Sequence, residues 1–123
     1  MIRILLVDDD DLSRGAVHKM LERAGYSVHS TGKGSDAIVR YKTDKTDLVI
    51  TDLIMPDTDG LELIQGLRRI DPEARVLAIS GGGRVDAEEY LSVARKFGAV
   101  EVLTKPFTSA TLKLALERVF GGG

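Results

Sequence analysis

Five short apolar runs recur along the chain, and each is followed by a stretch whose apolar residues return at helical spacing. The runs are Ile2 to Val7, Tyr26 to Ser30, Leu48 to Thr51, Val76 to Ile79 and Val100 to Leu103, the second being the weakest. The intervening stretches place Leu12, Ala16, Met20 and Leu21 on one face, then Ala37, Ile38 and Tyr41, then Leu61, Ile64, Leu67 and Ile70. Tyr90, Leu91, Ala94 and Phe97 follow, and finally Leu112, Leu116 and Val119. Strict alternation of strand and amphipathic helix is the pattern of an α/β fold, and near-continuous apolar strands suit a parallel sheet covered on both faces. The spacing therefore predicts a doubly wound, five-stranded parallel sheet with five helices. Gly25 and Gly98 fall where helices should stop and a strand follows, so both are expected at helix C-termini.

A chain of 123 residues has the length of one domain and can bury a real core without metal or disulfide staples. Its 43% hydrophobic and 29% charged residues belong to a globular protein, and a net charge of -2 argues against direct nucleic-acid binding, which normally shows as a basic excess. There is no cysteine, which excludes thiolate nucleophiles and Cys-bound zinc. The first apolar run is too short and too quickly followed by acids for a secretory signal, and no run is long enough to span a bilayer. A cytoplasmic protein without membrane attachment is expected.

In a doubly wound sheet, ligands gather beyond the carboxyl ends of the strands near the point where strand order reverses. The first run ends in "DDDD", Asp8 to Asp11, the third in Asp52, the fourth in Ser80 and the fifth in Lys105. Neighbouring carboxylates in a partly desolvated site repel by roughly 4 kcal/mol per pair at 4 Å and an effective dielectric near 20. Some must be solvated, protonated or paired with a cation. Asp8, Asp9 and Asp52 suit Mg²⁺, which takes one or two carboxylates and shares its other positions with water and phosphate oxygens. Asp10 and Asp11 read as the solvated entry to the first helix, with Asp11 a candidate N-cap. A carboxylate beside Mg²⁺ can act as a nucleophile towards phosphorus, which makes Asp52 the candidate acceptor, Lys105 a partner for a phosphoryl oxygen and Ser80 a hydrogen-bond donor to another.

Each of these residues also has a plainer reading. Asp52 could form an Asx-turn before "LIMPDTDG", Ser80 could be a turn residue, and Lys105 could be a solvated surface lysine. Pro106 shifts the last of these, because it forces Lys105 into an extended conformation at a fixed place. Asp57, Asp59, Glu88 and Glu89 read as solvated charges, and His18 and His29 as structural or exposed side chains.

Taken in order and spacing, "ILLVDDD", "LVITDLIMPDTDG", "VLAIS" and "LTKPF" resemble the receiver domain of bacterial two-component response regulators. The likeness runs from Ile2 to about Phe120, so residues 1–120 are expected to be one receiver domain and Gly121 to Gly123 a flexible glycine tail. It implies a flavodoxin-like fold with strand order 2-1-3-4-5 and a Mg²⁺-dependent phosphoacceptor switch rather than a turnover enzyme. The donor would be a histidine of a sensor kinase or of a histidine phosphotransfer protein. Matched motif to motif, Asp52 would be phosphorylated, Asp9 and Asp52 would bind Mg²⁺ directly, Asp8 would act largely through water, and the backbone carbonyl of Ile54 would complete the protein's share. Ser80 falls where the family carries its switching Thr or Ser, Lys105 on its phosphate-binding lysine, and the Lys105–Pro106 bond would be cis. The fourth helix, fifth strand and fifth helix would present the output surface, with Tyr90, Val102 and Lys113, to a downstream protein or to a second copy in a phosphorylation-dependent homodimer.

Two departures stand out. The family usually carries an aromatic ring or His three residues before the lysine, where this chain has Val102, so ring rotation cannot couple the site to the output face. The other is "SGGGR", Ser80 to Arg84, which is either a flexible loop before a helix or a glycine-rich turn that phosphorylation orders, its N–H groups forming an anion nest. Two rival functions can be weighed. A Mg²⁺-dependent phosphatase of the haloacid-dehalogenase type places a second Asp two residues after its nucleophile, where this chain has Ile54. A flavodoxin-like flavin-binding module needs an uncharged, hydroxyl-rich loop after the first strand, where this chain has four acids.

Overall fold

The computed structural model describes residues 1–53, 60–81 and 87–121, with the backbone alone at residues 87, 88, 90 and 91. The strands are β1 (Arg3–Val7), β2 (Ser27–Thr31), β3 (Leu48–Asp52), β4 (Val76–Ser80) and β5 (Glu101–Thr104). Alternating with them are α1 (Asp11–Arg23), α2 (Gly34–Thr43), α3 (Gly60–Ile70), α4 (Ala87–Phe97) and α5 (Ser109–Phe120). All pairings are parallel and the order is β2-β1-β3-β4-β5, so the reversal of direction lies between β1 and β3. Every strand lies within one residue of the bounds expected from the apolar runs.

The strands alternate their side chains between two cores, as a period of two requires. Leu5, Val7, Val49, Val76 and Ala78 face one side, where Ala37 and Tyr41 of α2, Leu63, Ile64 and Leu67 of α3 and Ala94 of α4 cover them. Ile4, Leu6, Leu48, Ile50, Leu77 and Ile79 face the other, under Val17 and Leu21 of α1 and Leu112, Ala115 and Leu116 of α5. Each valine, leucine or isoleucine among them fully removed from water stabilises the fold by roughly 1.5–3 kcal/mol before entropy is charged against it. The central strands β3 and β4 are buried at every residue, whereas the edge strand β2 is not buried at any. That is why the second run was the weakest in the sequence.

Gly25 and Gly98 both take positive φ, 97° and 116°, which only glycine adopts cheaply. Around the first, Gly25 N–H donates to Glu22 O and Tyr26 N–H to Leu21 O; around the second, Gly98 N–H donates to Arg95 O and Ala99 N–H to Ala94 O. Both are Schellman ends, as expected.

Two details of α1 differ from the sequence reading. Leu12 is 86% exposed and Ala16 is exposed, while Val17 and Leu21 carry the buried face. At about 100° per residue, Leu12 stands about 180° from Leu21, so the two cannot share one face. The N-cap is Asp10 rather than Asp11: Asp10 keeps extended backbone, accepts the Leu12 N–H on its side chain at 3.2 Å and takes the Arg14 N–H on its carbonyl at 2.8 Å. Asp11 has already turned helical, and its carboxylate in the first turn pairs with Arg14 at 2.6 Å.

Among the described residues, no helix is long and apolar enough to cross a membrane. Ile54, Asp57 and Asp59, the Gly82 to Arg84 part of the glycine-rich stretch and the Gly122–Gly123 tail lie outside the described residues, as do the side chains of Glu88 and Tyr90.

Candidate functional site

The carboxyl ends of β1, β3, β4 and β5 converge on one edge of the sheet. Asp8 follows β1 directly, and its N–H still joins the sheet through Thr31 O at 3.1 Å. Asp52 is the last residue of β3 and lies opposite Ile79, so Ser80, the last residue of β4, is one position further along the neighbouring strand. Lys105 follows β5 and is anchored by its own N–H, which donates to Ser80 O at 2.9 Å; its bond to Pro106 is cis. Asp8, Asp52 and Ser80 are buried, and Asp9 is exposed.

The side chains meet closely. Lys105 Nζ donates to Asp52 Oδ2 at 3.1 Å and to Asp8 Oδ2 at 3.3 Å. The other oxygen of Asp8, Oδ1, accepts the Asp10 N–H at 3.0 Å. Burial alone would lower the lysine pKa, but the adjoining Asp52 carboxylate, and Asp8 after it, outweigh that and hold it above its ordinary value. The ammonium is therefore a permanent charge at neutral pH.

Asp8, Asp9 and Asp52 each offer an oxygen within 4.8 Å of the others. An octahedral Mg²⁺ with oxygens at about 2.1 Å separates adjacent ligands by about 3 Å and opposite ones by about 4.2 Å. A small contraction would bring the three oxygens onto such an ion. Three carboxylates against one ammonium leave a local charge of two negatives, because the charge of nearby Arg14 is met by Asp11. The donor set and the charge both fit a hard divalent cation. All the site residues expected from the sequence except Ile54, which lies outside the described residues, are thus found at one sheet edge.

Sequence reasoning did not single out two supporting residues. Arg14 Nη1 donates to the backbone carbonyl of Asp8 at 2.7 Å, a contact with no signature in one dimension beyond the Asp11/Arg14 spacing. Gly60 packs so tightly under the end of β3 that a Cβ there would lie 2.4 Å from Leu53 Cα, and its N–H donates to Leu53 O at 2.9 Å. The histidines stand apart: His18 Nδ1 lies 2.9 Å from Ser30 Oγ, and His29 is exposed on the edge strand.

The fold is a doubly wound parallel sheet of the flavodoxin-like kind, with an acid cluster and a lysine gathered at the carboxyl edge of its strands. The family model of the response regulator receiver domain matches residues 4–117, and the chain belongs to that family: it is a receiver domain of two-component signalling. It is 34% identical over 119 residues to the response regulator receiver protein CpdR of Brucella abortus, with 97% of each chain covered. The chemotaxis protein CheY of Thermotoga maritima is 32% identical over 118 residues, covering 95% of this chain and 96% of that one. Among solved structures, CheY4 of Vibrio cholerae superposes with a TM-score of 0.86 at 29% identity, covering 98% of this chain and 99% of that one.

Proposed function

We propose that the protein is a cytoplasmic phosphoacceptor switch whose acceptor is Asp52. One Asp52 carboxylate oxygen attacks the phosphorus of a phosphohistidine on a sensor kinase or histidine phosphotransfer protein. The P–O bond forms as the P–N bond breaks, and the electron pair leaves on the imidazole nitrogen. The observation that carries this reading is the Lys105 ammonium, 3.1 Å from Asp52 and 3.3 Å from Asp8, with Asp9 completing the acid cluster. Asp9 and Asp52 would hold Mg²⁺ directly, Asp8 through water, and the backbone carbonyl of Ile54 would supply a further oxygen. Both oxygens of Asp8 already accept hydrogen bonds, which favours the water-mediated role. When bound, Mg²⁺ supplies charge neutralisation for the phosphoryl oxygens.

Lys105 pairs with one phosphoryl oxygen and the Ser80 hydroxyl donates to another, so transfer is served by positioning and charge rather than by acid–base chemistry. The added charge then biases an alternative arrangement of α4, β5 and α5. Moving such an equilibrium from 1:99 to 99:1 takes roughly 5.5 kcal/mol, which a few charge-assisted hydrogen bonds of about 1.5–3 kcal/mol each can supply. Val102 is half-buried against the core, so backbone and loop motion carries the signal in place of a rotating ring. The exposed Lys113 and Leu114 of α5 would belong to the surface presented to a downstream protein or to a second phosphorylated copy.

Phosphoramidate, a small donor with the same P–N bond, tests the acceptor. With Mg²⁺ the wild-type chain should gain one phosphoryl group by intact mass and Asp52→Asn none. Equal labelling of the two would refute the assignment.

A further inference from the structure

The guanidinium of Arg14 fills a slot between two turns. Its Nη1 donates to Asp8 O at 2.7 Å, and its Nη2 donates to Asp11 Oδ1 at 2.6 Å. On its far side is Gly32, in the turn between β2 and α2, where an added Cβ would come within 3.0 Å of Nη1 and 3.8 Å of Asp8 O. With Arg14 in place, every polar atom of Asp8 has a partner. Its N–H is bound to Thr31, its Oδ1 to Asp10, its Oδ2 to Lys105 and its carbonyl to Arg14.

The carbonyl is the informative contact. Asp8 O and Asp9 N belong to one planar peptide, so fixing the direction of that carbonyl fixes the direction in which the Asp9 backbone departs. Asp9 is exposed, and among the described residues its carboxylate has no hydrogen-bond partner. Its place within 4.8 Å of the Asp8 and Asp52 oxygens depends on the course of the backbone that carries it.

We infer that Arg14 is a positioning residue for the acid cluster: it locks the Asp8–Asp9 peptide plane so that Asp9 presents its carboxylate to a divalent cation, and Gly32, having no Cβ, leaves room for the guanidinium. This rests on reading the acid cluster as a cation site. Partners that orient ligands from outside the metal's own coordination typically change metal affinity by about 10–100-fold when removed. A side chain that only tied α1 to the sheet would lower stability and leave affinity unchanged.

The test is a Mg²⁺ titration of the full chain, followed by backbone amide chemical shifts, for wild type, Arg14→Ala, Arg14→Lys, Gly32→Ala and the Arg14→Ala/Gly32→Ala double variant. Arg14→Ala should weaken Mg²⁺ by about tenfold or more, and Gly32→Ala, whose Cβ would stand 3.0 Å from Nη1 and crowd the guanidinium, by a smaller factor. The double variant should be no weaker than the poorer single, since both act through one contact. Arg14→Lys should recover part of the affinity, because an ammonium can still reach the Asp8 carbonyl. Phosphorylation of Arg14→Ala should need more Mg²⁺ for half-maximal rate yet reach the wild-type maximum.

Wild-type affinity in folded Arg14→Ala, additive losses in the double variant, or a wild-type chain that takes no Mg²⁺ would each overturn the inference. Should Arg14→Ala fail to fold, Arg14→Met, which keeps the aliphatic stem and removes the donors, decides in its place, with wild-type affinity counting against the proposal. The two readings fail separately. Phosphorylation of Asp52 with unaltered Mg²⁺ affinity in Arg14→Ala removes only the role of Arg14. Weakened Mg²⁺ in that variant with no phosphoryl transfer in wild type removes only the phosphoacceptor.

Discussion

Replacing Gly60 by Ala should damage both the fold and the acceptor, while the same substitution at Gly15 should stabilise the chain. A Cβ on Gly60 would sit 2.4 Å from Leu53 Cα, 2.6 Å from Asp52 O and 2.8 Å from Leu53 O. Carbon atoms rest at about 3.5–4.0 Å, so about 1.1 Å of separation must be found, and every atom struck is backbone that no rotamer change can move aside. Overpacking typically costs about 1–3 kcal/mol, and Ala in a helix returns at most about 1 kcal/mol over Gly. An overlap this deep with backbone alone places the cost at about 2–3 kcal/mol, so a net loss of about 1–2 kcal/mol remains, roughly 3–10 °C in Tm for a domain of this size. Because the displaced atoms belong to Asp52 and Leu53, phosphorylation should slow as well. Gly15 lies in the interior of α1 with nothing within 4 Å of its Cβ position. Gly15→Ala should therefore gain about 0.5–1 kcal/mol from helix propensity alone. Urea unfolding followed by circular dichroism reads both variants, and the phosphoramidate reaction reads the acceptor. A Gly60→Ala chain as stable and reactive as wild type, or a destabilised Gly15→Ala, would refute the packing argument.

Three further outcomes follow from the same contacts. Lys105→Met removes the charge that screens acid oxygens lying within 4.8 Å of one another, where each carboxylate pair repels by roughly 3.5 kcal/mol at an effective dielectric near 20. Its Tm should fall in chelator and rise on adding Mg²⁺ by more than wild type does, with slowed phosphorylation; an equal Mg²⁺ shift in both chains would contradict this. The Asp71 carboxyl is held down at about 2 by Lys45, then by the Tyr41 hydroxyl and the Glu73 N–H, while burial first and Asp71 second push the Tyr41 hydroxyl well above its usual range. An acid depressed on folding stabilises the fold above its unfolded pKa of about 3.9 and loses that contribution as pH falls towards its folded value. The stability gap between wild type and Asp71→Asn should thus be constant near neutrality and shrink between about pH 4 and pH 2 in urea titrations, a constant gap counting against the linkage. Finally, Leu12→Asn should change stability by less than about 0.5 kcal/mol, because that leucine is 86% exposed; a larger loss in urea would show that it packs.

The alternation of strands and helices was legible because burial on both faces forces the central strands to be apolar throughout, and Leu48 to Thr51 and Val76 to Ile79 are apolar with little interruption. The site was legible because strand ends follow strands: Asp8, Asp52, Ser80 and Lys105 are each adjacent to an apolar run, and the topology does the rest. The face of α1 was legible only in part: Leu21 is buried and Met20 packs against the core as expected, but Leu12 and Ala16 share their spacing with Met20 and nothing local reveals that Val17 takes their place. The choice of Asp10 over Asp11 as cap turns on which of two adjacent aspartates keeps extended backbone, a one-residue difference that four consecutive acids do not display. The Arg14 contact with Asp8 and the packing of Gly60 were illegible for one reason: both are made to backbone atoms, and a carbonyl carries no side-chain identity that a sequence can display.

The central claim is that Asp52 is the residue that takes the phosphoryl group, and borohydride reduction tests it most directly. The chain would be phosphorylated with a small donor and Mg²⁺, reduced, digested and read by peptide mass spectrometry. Reduction of an aspartyl phosphate leaves homoserine, and the account predicts it at position 52 and only in samples given both donor and Mg²⁺. Homoserine at Asp8, Asp9 or any other acid, or none in a folded, Mg²⁺-bound chain, would contradict it.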